Sequence, residues 1–301
     1  SLNSINIPDS VTTISGEAFY GCTALTSIDI PAIVTSIRDY AFFQSGLTSI
    51  TIPPLVESIG FEAFRYTKFE VVNIPKSVTS IGSGAFKHCD NLTTVTFDPD
   101  ISFGGIPNDM FFGSPRLKTI TIPASVTSIG VAAFDGFGNE LNSITIPKSV
   151  TSIGNRAFQN CSNLTIVTFE DISNSKLESI GSIVFNAATK LSFITIPPLV
   201  TSIGSDAFND TNLRSITFKT DVSNFTLLDD TMFPVDSDSN PITSIYASQA
   251  LIGEKGWIVD ASNTIGSQSI MIRELDNVEP SFISTTISDN SYAIVTFNEP
   301  V

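Results

Sequence analysis

Apolar and polar positions along this chain follow a short pattern that keeps returning. Residues 141–158 read L-N-S-I-T-I-P-K-S-V-T-S-I-G-N-R-A-F. Leu141, Ile144 and Ile146 form L-x-x-I-x-I, and the last two alternate with the period of a strand that buries one face. Pro147 ends that strand, because proline has no N–H to give to a ladder. Val150 and Ile153 make a second inward pair, Gly154 permits a turn, and Phe158 fills the space behind it. The pattern predicts a strand, a turn, a short return segment and a second turn.

The unit recurs along most of the chain. Its phenylalanine falls at Phe19, Phe42, Phe64, Phe86, Phe111, Phe134, Phe158, Phe185, Phe208 and Phe233, at spacings of 22 to 27 residues. A period of that size signals a solenoid. Each column keeps one chemistry. The first strand position is leucine from Leu25 to Leu213, with Phe69 the exception; the second is Ile or Val from Ile28 to Ile245; the third is Ile or Phe from Ile30 to Phe218. One turn cannot bury such side chains alone, so stacked turns must share a core. Strands that repeat in one direction, each with a return path, must pair in parallel.

The motif I-P-x-S-V-T-S-I-G-x-x-A-F-x-x-C-x-x-L-T-S-I-T, best matched at residues 74–92, 122–134 and 146–164, resembles the BspA-like, or treponemal-type, leucine-rich repeats. The resemblance covers roughly residues 1–247. It implies a repeat solenoid of leucine-rich-repeat type, with a parallel β-sheet on the concave face and short strands and turns on the return side. It also implies an extracellular or cell-surface protein that binds other macromolecules.

Three regions are expected. Residues 1–247 form the solenoid, about ten turns of 22–27 residues. Residues 248–276 form a C-terminal cap and linker, with the single tryptophan, Trp257, over the open end of the core. Residues 277–301 begin a short β-rich extension: two apolar runs flank Asp289-Asn290, and Ala293, Val295 and Phe297 alternate. This last segment resembles the opening of a bacterial immunoglobulin-like or SwmB-type domain, cut short. The chain starts at Ser1 and stops inside a strand pattern, which is expected of a piece of a longer protein. Turns at 98–109, 170–176 and 219–240 depart from the pattern, either as neutral insertions or as places for specific contacts.

Composition narrows the function. Of 301 residues 42% are hydrophobic and 15% charged, so the chain is not a disordered acidic tail. No run approaches the roughly 18 apolar residues of a membrane span. Thirty acidic against fifteen basic side chains give a net charge of −15, which repels nucleic acid and anionic membrane surfaces. The acidity concentrates in residues 220–301, with twelve acidic and two basic residues, and marks a boundary near 220.

Catalytic chemistry finds little to work with. His88 is the only histidine, and neither a phosphate loop nor a nucleophile elbow occurs. Cys22, Cys89 and Cys161 lie three turns apart, about 14 Å at ~4.8 Å per turn, too far for a disulfide. They read as small buried apolar groups, and His88-Cys89 as repeat filler. The chain is therefore expected not to be an enzyme and to need no cofactor. One acidic loop, Asp236-Ser-Asp238-Ser-Asn240, has the alternating oxygen donors that suit calcium, but it lacks the glycine and distal glutamate of an EF-hand; a solvated loop is the alternative.

The outward strand positions carry the binding candidates. Thr51, Thr96, Thr121, Thr145, Thr168, Thr195 and Thr217 form a column on the exposed sheet face. Threonine is also favoured on any solvated strand. Phe193 and Tyr246 interrupt the hydroxyl rows, and exposed aromatics are typical contact anchors. The expected function is a recognition or adhesion module that takes a protein or glycan ligand on another cell or matrix. The alternative is a structural subunit or spacer of a surface layer, filament or sheath. A lesser alternative, ice binding by Thr/Ser rows, sits poorly with curvature and mixed rows.

Overall fold

The structure, a computed structural model, describes residues 2–136 and 140–219, and beyond them the backbone of the strands Thr226–Leu227, Ser244–Ala247, Ser262–Ile265, Gln268–Glu274, Phe282–Ile287 and Ala293–Phe297. The repeats stack as a parallel-strand solenoid of about nine turns. Among the described residues no α-helix occurs; a single 3-10 turn, Ile172–Asn174, lies within the 170–176 insertion.

From residue 71 onward most turns contribute to two sets of parallel strands, and the earlier turns contribute only to the shorter set. The x-I-x-I segment supplies the longer ones. Val71–Ile74, Thr94–Phe97 and Thr119–Ile120 form one block, and Ser143–Ile146 pairs with Ile166–Phe169. A third block runs from Phe193–Ile196 through Ser215–Phe218 and Ser244–Ala247 to Gln268–Glu274. The antiparallel strand Ser262–Ile265 then lies on its last edge. The T-S-I segment supplies two-residue strands in two ladders, Thr13–Ile14 to Ser80–Ile81 and Ser128–Ile129 to Thr226–Leu227. Between these ladders the irregular 98–109 turn bridges only at Ile106, opposite Ile129, yet it still buries Ile101, Phe103 and Ile106. Past the array, Phe282–Ile287 pairs antiparallel with Ala293–Phe297.

Local chemistry sets the corners. After the longer strand, proline stops the ladder and the valine three residues on donates its N–H back to the proline carbonyl, as in Val34 to Pro31 and Val126 to Pro123, both at 3.0 Å. The expected reason for glycine after T-S-I changes. Gly154 does not occupy the left-handed region; a Cβ there would lie 2.7 Å from the Val131 nitrogen, and at Gly82 one would lie 2.4 Å from the Phe61 nitrogen. Glycine at this corner lets one turn approach the previous one.

The left-handed residues sit elsewhere, two positions before and two after the marker phenylalanine. Glu17, Tyr40, Glu62, Arg156 and Asp206 lie before it, and Gln44, Tyr66, His88, Asn160 and Ala187 after it, with φ from 49° to 62°. Alternating handedness keeps the segment from closing into a helix and points every second N–H at the next turn. Glu17, Phe19 and Gly21 donate to Asp39, Ala41 and Phe43 at 3.0, 2.8 and 2.8 Å. The return side is thus hydrogen-bonded turn to turn, as buried backbone requires.

The core is one continuous spine. Phe19, Phe42, Phe64, Phe86, Phe111, Phe134, Phe158, Phe185 and Phe208 stack in file, with ring centroids 5.1 to 5.9 Å apart and planes within 24°. Leucine and isoleucine columns flank it; Leu25, Leu47, Leu92, Leu141, Leu164, Leu191 and Leu213 are all fully buried. Phe158→Ala, in mid-spine, should therefore lower unfolding free energy by about 3–5 kcal/mol in denaturant titrations. Phe19→Ala at the end should cost less, because only Phe42 among the described rings stacks on it. Gly82→Ala should destabilise by more than the ~1 kcal/mol range of ordinary surface changes, because its Cβ meets backbone.

Candidate functional site on the strand face

The longer strands turn alternate side chains outward. In Val71–Ile74, Ser143–Ile146 and Ile166–Phe169 the first and third residues are exposed and the second and fourth buried. Most outward positions are Ser or Thr, and three are apolar: Val71, Ile166 and Phe193, 47%, 44% and 53% exposed. Phe193 is the most exposed large apolar side chain of the described residues. Its register partner on the next strand is Ser215, and Ile166 holds the same column in the turn before.

Phe193 borders a shallow depression of about 650 Å3, shared with Thr165, Lys190, Ser192, Asn212, Arg214 and Ser215. Repetition places them: Thr165, Ser192 and Arg214 each follow a core leucine, and Lys190 precedes one. Lys190 Nζ donates to Asn163 Oδ1 at 2.7 Å, which steers the ammonium along the face of the preceding turn. No carboxylate lines the depression. In a chain of net charge −15, an aromatic ring beside Lys190 and Arg214 forms a local basic patch. Such a surface can hold an apolar or acidic group by contact.

The threonine column is less regular than its spacing. Thr51, Thr96, Thr121, Thr145 and Thr168 are exposed, Thr195 is half-buried, and Thr217 departs from the expected row at 8% exposure. Its register neighbours on the two flanking strands are Thr195 and residue 246. Thr145 and Thr168 are direct register partners. Thr96 instead donates to Asn73 Oδ1 of its neighbour. Thr51 and Thr121 lie outside the assigned strands, so the column is interrupted along the array. Other hydroxyls serve the scaffold: Thr35, Thr93 and Thr151 donate to carbonyls of the preceding turn. Tyr246 belongs to the strand Ser244–Ala247, and its side chain lies outside the described residues, as do Asp236, Asp238 and Asn240. Among the described residues no group of His, Cys, Asp and Glu could hold a metal ion.

A second row of rings escaped the sequence reading. Tyr20, Phe43, Tyr66, His88 and Phe112 follow the marker phenylalanine by one or two residues in successive turns. Their centroids are 4.7, 5.6, 5.0 and 5.4 Å apart, an outer file alongside the buried one. Arg65 lies over the Tyr66 ring at 4.7 Å and pairs with Glu62 through contacts of 2.8 and 2.9 Å. The signal was the ring-bearing residue in five consecutive units, hidden because its offset from the phenylalanine shifts between one and two.

His88 and Cys89 have separate surroundings. His88 stacks on Tyr66, while Cys89 is fully buried with its Sγ at 3.3 Å from both Thr67 Oγ1 and the Phe64 carbonyl. Burial pushes the Cys89 thiol up to about 12, far from thiolate chemistry. Burial, and then the charges of Arg65 and Lys87, hold the His88 imidazole below its usual value. Its neutral form is the folded one, so this contribution is complete above the unfolded value of about 6.5 and is lost as pH falls below it. Thermal melts between about pH 6.5 and 5.5 should accordingly show falling stability, and His88→Asn should flatten the slope. In a thiol-reagent titration of the native chain only half-buried Cys22 should react promptly, with Cys89 and Cys161 released on unfolding.

Among curated proteins no sequence matches significantly. A leucine rich cell surface protein of Faecalibacterium prausnitzii is 24% identical over 92% of this chain and 80% of its own, with TM-score 0.46. The pneumococcal vaccine antigen PcpA is 18% identical over 91% and 88%, TM-score 0.42. A leucine-rich repeat protein of Bacteroides ovatus is 22% identical over 88% and 82%, TM-score 0.39. The model of the BspA type leucine rich repeat region, in six copies, matches residues 1–105 and 104–234. That match spans most of the molecule, and the chain belongs to the BspA-type leucine-rich repeat family.

Proposed function

We propose that this chain is a non-catalytic recognition module that grips a protein partner through its strand face, centred on Phe193. The carrying observation is a phenyl ring 53% exposed on a β-strand, beside Ile166 and rimmed by Lys190, Arg214 and hydroxyls. An apolar anchor inside a polar, cationic rim is the plan of an interface hot spot. The anchor sits on a sheet pinned by parallel pairing to Ser215–Phe218, so little ordering entropy is lost on contact. The proposal includes an extracellular or cell-surface location, the setting named for the Faecalibacterium protein. No helix of the described residues is long and apolar enough to cross a membrane.

Phe193→Asp should abolish attachment of chain-coated beads to partner-bearing cells or matrix, with thermal stability within a degree or two of the parent. Lys76→Ala, on an exposed side chain outside the strands and several turns from Phe193, should leave attachment unchanged. Equal attachment by Phe193→Asp would overturn the assignment of this face. Concentration-dependent assembly of the chain alone, lost in the same variant, would replace it with the structural-subunit reading.

A further inference from the structure

The residue that follows a longer strand decides whether that strand joins the one before it. Where it carries an N–H, that group bonds the preceding turn. Asp98, Glu170 and Lys219 donate to the carbonyls of Ile74, Ile146 and Ile196 at 2.9, 2.9 and 3.0 Å. Each such bond closes a four-residue register: 71–74 with 94–97, 143–146 with 166–169, and 193–196 with 215–218. Where proline holds the place, that rung cannot form. Thr119–Ile120, ahead of Pro123, keeps only a two-residue register with the turn before it. Among the described residues no ladder joins Ser143–Ile146, followed by Pro147, to Thr119–Ile120. None joins Phe193–Ile196, followed by Pro197, to Ile166–Phe169. The sheet is cut at both places.

The cuts are confined to the strand face. Across the first, Ser128–Ile129 pairs with Ser152–Ile153, the Phe134 and Phe158 rings stack at 5.1 Å, and the Phe134 N–H bonds the Ala157 carbonyl at 2.8 Å. Across the second, Ser179–Ile180 pairs with Ser202–Ile203, the Phe185 and Phe208 rings stack at 5.7 Å, and the Phe185 N–H bonds the Ala207 carbonyl at 2.8 Å. Beneath the second cut Val167 and Ile194 are buried, so the core is continuous where the ladder is not. Adjacent turns are thus tied on the short-strand and return sides and untied on the third.

We infer that these cuts are joints. The turns on either side open and close about the short-strand ladder, on the microsecond-to-millisecond scale of hinge motion, while the ring file stays stacked. The second joint runs beneath the depression at Phe193. Thr165 stands on one lip, and Lys190, Ser192 and Phe193 on the other. Lys190 Nζ reaches across to Asn163 Oδ1 at 2.7 Å, a long flexible side chain where paired strands carry backbone rungs. Motion of this joint sets the width of the depression, so one surface can close on apolar groups of different size. That consequence rests on the strand-face reading; the joint itself is a property of the backbone.

The test is hydrogen exchange followed by NMR on the 15N-labelled chain, read at the same position of two strands. Outward residues send their N–H to the preceding turn, as Ile166 does to Asn142 and Ser215 to Ser192, both at 3.4 Å. Thr168 therefore faces a paired strand, and Thr195 faces the second cut. Burial alone predicts faster exchange at exposed Thr168 than at half-buried Thr195. The joint predicts the reverse: Thr195 should exchange at least roughly ten-fold faster, a difference of ~1.4 kcal/mol in opening free energy. Pro197→Ala restores an N–H for the Phe169 carbonyl and should slow Thr195 by a similar factor. Glu170→Pro should quicken Thr168. The amides of Ile180 and Ile203, on the short-strand ladder, should keep their rates in Pro197→Ala. Exchange at Thr195 no faster than at Thr168 in the parent chain, or unchanged by Pro197→Ala, overturns the inference. No partner is needed, so the outcome is separate from that of attachment by Phe193→Asp.

Discussion

No turn of this protein has an interior of its own. A segment of some two dozen residues offers one phenyl ring, one leucine and a few β-branched side chains, and each is buried only because an equivalent residue lies on either side of it. The file of stacked rings from Phe19 to Phe208 is the clearest expression of that constraint. Stability then resides in nearest-neighbour contacts, and the ends differ energetically from the middle. The same constraint favours glycine at the corner after the T-S-I strand, since turns close enough to stack their rings bring backbone against backbone at Gly82 and Gly154, although Arg38 holds that corner in one turn.

Stacking at this distance also decides where the polar groups go. On the return side the backbone alternates between right- and left-handed residues around each phenylalanine, so its N–H groups bond the next turn. Threonine and serine side chains add bonds to carbonyls of the preceding turn at Thr35, Ser77 and Ser149. Much of the hydroxyl content is therefore scaffold. What breaks the repeat stands apart from that scaffold, above all the aromatic ring where a serine would serve at Phe193.

Repetition made the architecture readable from the residues alone. The phenylalanine, leucine and isoleucine columns located the core, the parallel pairing and the fate of Cys89 and Cys161, because each residue was seen many times in the same role. Backbone conformation was less readable. Gly154 was assigned a turn and is instead a point of close approach, a distinction that depends on the neighbouring turn. The left-handed residues include Glu62, Arg156 and Ile183, none of which advertises that conformation. Phe193 was visible as an exception in an outward column. Thr217 was not separable from Thr168 by sequence, although the first is buried and the second exposed. The outer ring file involves a shift of a single residue in its offset from the marker phenylalanine, which a fixed-period reading averages away.

The hydrogen bonds joining Glu17 to Asp39, Phe19 to Ala41 and their counterparts all run along the long axis of the array. A pull applied at the two termini loads them one rung at a time rather than together. Each rung that yields releases a coil of about 23 residues, on the order of 80 Å of slack at ~3.4 Å per residue, while the coils still stacked keep their shared interior. An array loaded in this way lengthens in steps under force, one coil at a time.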